Sequence, residues 1–96
     1  MQYVLTYRSV EDFYDLAMAN YPAHLARLLD FQRRGVLLMA GPFVDPMDGD
    51  SMAIFTTREA VDEFVSEDPF VLNGVVASHT VRAWDGTLEP GPAADG

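Results

Sequence analysis

Five apolar residues in a row, Val36-Leu37-Leu38-Met39-Ala40, constrain the fold of this chain more than any other stretch in it. The run continues as "VLLMAGPFV" to Val44 and reads as a strand. A strand with one face in water alternates apolar and polar side chains. This one is apolar on both sides, so something must cover each face of its sheet.

The rest of the chain supplies cover for one face. "QYVLTYR", residues 2–8, is rich in β-formers and predicts a first strand. Ser9 with Asp12 three residues on resembles a helix start, and Phe13, Leu16 and Ala17 predict a short helix over 10–19. Pro22 then restarts the register, Leu25, Leu28 and Leu29 form a stripe, and Gly35 stops a second helix at about 22–34. After the apolar strand, "DPMDGD" predicts a turn and "SMAIFTT" a third strand. Thr56 with Glu59 has capping-box spacing, and Ala60, Val61, Phe64 and Val65 share one face of a helix over about 57–66. "EDPFVLNG" reads as a loop or single turn, and "VVASHTVRAW" as the closing strand. The order β-α-β-β-α-β is the ferredoxin-like α+β arrangement, a four-stranded antiparallel sheet with helices on one face. With no third layer encoded, a second copy of the same sheet is the simplest cover for the other face, which predicts a homodimer.

Residues 1–85 form the expected folded unit, and the Gly/Pro/Ala-rich end, 86–96, is expected to be a mobile tail. Fifteen acidic residues against six scattered basic ones give a net charge of -9, which argues against nucleic acid as a partner. The absence of cysteine excludes disulfides and cysteinyl metal sites. No window is long and apolar enough to span a membrane, and the start has no signal-peptide pattern, so the expected location is the cytoplasm.

Few residues can carry chemistry. His24 in "YPAHLARLLDF" falls in the first turn of the predicted second helix, where the positive end of the helix dipole disfavours an imidazolium and favours a neutral ring able to accept a proton. It borders the apolar stripe at Leu28 and Phe31; a histidine bonded to backbone is the plainer reading. Asp68 in "SEDPF" caps a turn before Pro69, or accepts the imidazole N–H of His24, or does both. His79 reads as a packing or dimer-face residue, and no spacing suggests a metal. Arg82 could hold a substrate anion or form an edge salt bridge, and "AGPF" at 40–43 could line a pocket or be a β-bulge. The tyrosines and Trp84 read as core or interface by default.

Taken together, "PAHLARL…RGVLLMAGPF" and "EDPFVLNGVVASHTVRAW" resemble the YciI-like, or YCII-related, family of small bacterial proteins. The carriers are His24, Ala40-Gly41-Pro42, Asp68-Pro69-Phe70 with Gly74-Val75, and Val81-Arg82. The resemblance implies a dimeric α/β-barrel assembly and a His24–Asp68 catalytic pair. It also implies substrate contacts from Gly41, Pro42, Phe70 and Arg82. The implied chemistry is cofactor-free proton abstraction of the lyase or isomerase type from a small hydroxylated aromatic or lactone-like molecule; the alternative is a non-catalytic metabolite-binding or accessory module.

Overall fold

Alternation along the first strand sets the inside and outside of the molecule. In the computed structural model, which describes residues 1–91, β1 (Gln2–Ser9) buries Leu5 and Tyr7 while Arg8 is exposed. Seven elements follow one another: β1, α1 (Phe13–Arg33), β2 (Leu37–Pro42), β3 (Ser51–Phe55), α2 (Arg58–Glu67), α3 (Pro69–Leu72) and β4 (Val76–Trp84). The strands form one antiparallel sheet in the order β2-β3-β1-β4, the ferredoxin-like topology, with the helices on one side. Directly opposed residues point to the same face, so Leu5 with Ala53 and Val81 face the helices. Met39, Ile54, Val4 and Arg82 form a row on the opposite face.

The core lies between sheet and helices. Phe31 from α1, Phe55 from β3 and Phe64 from α2 are wholly buried, with ring centroids 5.2 to 6.4 Å apart in edge-on and tilted contacts. Arg27 ties α1 to α2 by donating to the carbonyls of Phe64 (3.1 Å) and Glu63 (2.7 Å). Arg34 meets the Glu63 carboxylate with both terminal nitrogens, at 2.8 and 2.9 Å, and this hydrogen bond holds the carboxyl below its usual range.

Four expectations need correction. The two helices predicted over 10–19 and 22–34 are one, α1, with Pro22 inside it. The reason is the stripe Phe13, Ala17, Tyr21, His24, Leu28, Phe31, which runs through the proline at unbroken 3.6 spacing. Packing that stripe outweighs the cost of the proline, whose exposed position lets water reach the Met18 carbonyl that lacks its donor. The Ser9–Asp12 start signal also fails, since Asp12 stands at the N-cap without a side-chain bond. At α2 the cap is Thr57, accepting from the Ala60 N–H at 3.1 Å, one residue beyond the expected Thr56. The irregularity in β2 falls between Leu37 and Met39, ahead of "AGPF".

"EDPFVLNG" resolves into the short helix α3, with Asp68 as N-cap. The loop from Phe43 to Asp50 folds back onto the start of α1. There Gly49, at φ +91°, leaves no room for a Cβ: one would lie 2.8 Å from Cβ of Ser9 and 2.9 Å from the Phe13 ring. Ser9 donates its hydroxyl to the Gly49 carbonyl at 2.6 Å, pinning the loop. After Trp84 no regular element forms as far as Gly91, and the remainder of the expected tail, 92–96, lies outside the described residues. No described helix is long and apolar enough to cross a membrane.

Candidate functional site

Three elements converge on one buried carboxylate. Asp68 is fully buried between α2 and α3, a costly place for a charge unless its oxygens are satisfied. Both are. Oδ2 accepts the Tyr7 hydroxyl from β1 at 2.8 Å; Oδ1 accepts His24 Nδ1 from α1 at 2.7 Å and the Phe70 N–H at 3.2 Å. Asp68 therefore caps α3 and holds the histidine at once, as its position before Pro69 allowed. Burial, and then the negative charge and hydrogen bond of Asp68, push the Tyr7 phenol far above its ordinary range, so it stays a donor.

This arrangement fixes the state of His24. The carboxylate only accepts, so Nδ1 carries the proton, and in the neutral ring Nε2 keeps a lone pair. The ring stacks on Phe70, centroids 3.8 Å apart and planes 3° from parallel, with Phe64 edge-on at 6.2 Å. No buried side-chain nitrogen or oxygen among the described residues lacks a hydrogen-bond partner, and Nε2 has none in the protein, so it is reached from outside; the residue itself lines a space beside α1. His24 lies in the middle of α1, well past the first turn where it was expected, so the helix dipole has no part in its chemistry.

That space is a cavity of about 340 Å³ between α1, the sheet and the β2–β3 loop, large enough for one substituted ring. Phe13, Tyr14, Met18 and Tyr21 wall it along α1, and Met47 and Gly49 close it from the loop. Of the residues expected to touch a substrate, Gly41, Pro42 and Phe70 line it. Arg82 does not. It pairs with Val4 on the sheet face turned away from the helices, because strand alternation gives the core side to its neighbour Val81. His79 is exposed and pairs with Tyr7, its ring edge-on to the phenol at 6.4 Å, on the helix side of β4 and not on the open face. Among the described residues no group of three or more His, Cys, Asp or Glu could hold a metal ion.

Sequence reasoning missed Tyr7 and the tyrosine wall of α1. A usable signal for Tyr7 existed: it shares the inward parity of Leu5, and a tyrosine hydroxyl in a core seeks a partner. Which partner could not be read, since Tyr7 and Asp68 stand 61 residues apart.

The family model of the YCII-related domain matches residues 1–85. No curated protein matches the chain. Among solved structures, the chain is similar to 5-chloro-2-hydroxyhydroquinone dehydrochlorinase from Burkholderia phenoliruptrix AC1100, in complex with 2,5-dihydroxybenzoquinone. The TM-score is 0.74 and the identity 24%, over 88% of this chain and 94% of that one. At that identity the likeness carries the fold.

Proposed function

Because the chain belongs to the YCII-related domain family, we propose that it is a small-molecule enzyme of the lyase or isomerase type, with His24 as general base and a hydroxylated ring as substrate. The observation that carries this reading is His24 at the wall of a cavity sized for one ring, its Nδ1 held by a buried carboxylate and its Nε2 without a partner in the protein. The structural neighbour, which acts on a hydroxylated aromatic, supports the same class of substrate.

In the proposed step Nε2 takes a proton from an O–H or C–H of the bound ring, and the electron pair of that bond stays on the substrate. The anion formed takes a proton back at a ring carbon, giving a keto tautomer. Where that carbon bears a leaving group, loss of a second hydroxyl proton supplies the electron pair that expels it, and the leaving group departs with the pair of its own bond. Asp68 is the positioning residue: it holds the tautomer and stabilises the imidazolium as it forms, with Tyr7 keeping the second carboxylate oxygen in place. Gly41, Pro42 and Phe70 shape the cavity. The chemistry asks for no cofactor.

The test is chloride release from chlorinated hydroquinones and solvent-deuterium exchange into unchlorinated ones. His24→Ala is expected to lower turnover by about 10²–10⁴-fold. Asp68→Asn is expected to lower kcat and to abolish the Nδ1–H tautomer preference in ¹⁵N NMR. Full activity in His24→Ala would overturn the general-base role, and saturable binding without turnover that survives the loss of His24 would establish the binding-module reading instead. We also propose that a second copy covers the sheet face bearing Met39, Ile54 and Val4.

A further inference from the structure

The cavity has aromatic walls and no charged group of its own. We propose that it selects uncharged ring compounds and rejects their carboxylate-bearing analogues, a statement that rests on the reading above and names the charge class of its substrate.

Among the described residues no charged side chain lines the cavity. All six basic side chains are arginines at described positions, and none is free to serve it. Arg27 is engaged with the carbonyls of Glu63 and Phe64, Arg34 with the Glu63 carboxylate, Arg33 with Asp30 and Arg58 with Asp62. Arg8 and Arg82 are exposed on β1 and β4, outside the lining. The sequence neighbours of the lining residues at the start of α1 and in the β2–β3 loop are instead acidic. Glu11 and Asp12 precede the lining residues Phe13 and Tyr14, and Asp15 follows them in the first turn of α1, offsetting the positive end of that helix. Asp45, Asp48 and Asp50 stand beside Met47 and Gly49 in the loop.

A ligand carboxylate would therefore approach through like charge and lie in apolar surroundings with no counter-ion, facing a histidine already backed by Asp68. A neutral hydroxylated ring meets the opposite conditions. Phe13, Tyr14, Tyr21 and Phe70 offer flat apolar surface, and Nε2 accepts its hydroxyl.

The experiment titrates the full chain, in whatever assembly it forms, with 1,4-dihydroxybenzene and with 2,5-dihydroxybenzoate at neutral pH, following the His24 ring and the Met18 and Met47 methyls by NMR. The expected result is that the benzoate binds about tenfold or more weakly, and that Met18→Lys, at an exposed position on the cavity wall, narrows the gap. Equal or tighter binding of the benzoate overturns the proposal, whether the cation comes from a second copy or from elsewhere in the chain. So does a failure of both compounds to perturb these signals. Binding of the dihydroxybenzene without turnover leaves the charge selection standing and removes the catalytic reading, so the two are separable.

Discussion

Tyr7 spends its only hydroxyl proton on Asp68, and the consequence reaches beyond geometry. Its phenol is raised far above the ordinary value of 10.0, first by burial and then by the adjacent carboxylate. A raised folded-state value means the contribution to stability is fully present below the unfolded pKa and is lost as pH climbs past it, because only the unfolded chain then releases the proton. Above about pH 10 the stability should fall by about 1.4 kcal/mol per pH unit on account of this one group. Urea unfolding between pH 9 and 11 measures it. Tyr7→Phe should be less stable at pH 7 by about 1–3 kcal/mol, having left Asp68 short of a donor, yet show a shallower loss above pH 10. An unchanged slope would mean that another group sets the alkaline limit. At this scale His24 and Asp68 were legible from residue type and local motif, but Tyr7 was not, because nothing local distinguishes a tyrosine that fills a core from one that serves a carboxylate.

Helix α1 shows how an element resolves a conflict that its residues pose. Pro22 says stop, and the stripe on either side of it says continue. The stripe prevails because it buries Phe31 and seats His24 against Phe64 and Phe70, a gain the local signal does not register. The price of the proline is a missing bond to the Met18 carbonyl. Pro22→Ala should restore it and raise stability by on the order of 1–2 kcal/mol, measured by thermal or urea unfolding. A loss of stability would mean that the constraint proline places on the unfolded chain outweighs the bond. Both outcomes bear on the site, since Tyr21 stands immediately before Pro22 and His24 two residues after it on the same helix.

For the molecule as a whole, the open question is the sheet face that the helices leave uncovered. Met39 is 69% and Trp84 50% exposed, and Met39 shares its row with Ile54 and Val4, so one chain alone leaves apolar surface in water. With a second copy over that face, the wild type should run as a dimer in light scattering, and Ile54→Asp should halve its mass while leaving the Leu5–Phe55–Phe64 core intact. A monomeric wild type would overturn the assembly. The four strands, their order and the ferredoxin-like arrangement were determined by the sequence alone, because a period of two or 3.6 is a local property that burial of one face imposes directly. The continuity of α1 through Pro22 and the helical form of α3 were not. Tertiary structure alone decided that Tyr7 joins His24 on Asp68, that Arg82 is turned away from them, and that the cavity holds no positive charge. Each depends on which faces of distant elements are pressed together, and a one-residue change of strand parity or a proline overridden by packing is enough to send a side chain to the other side.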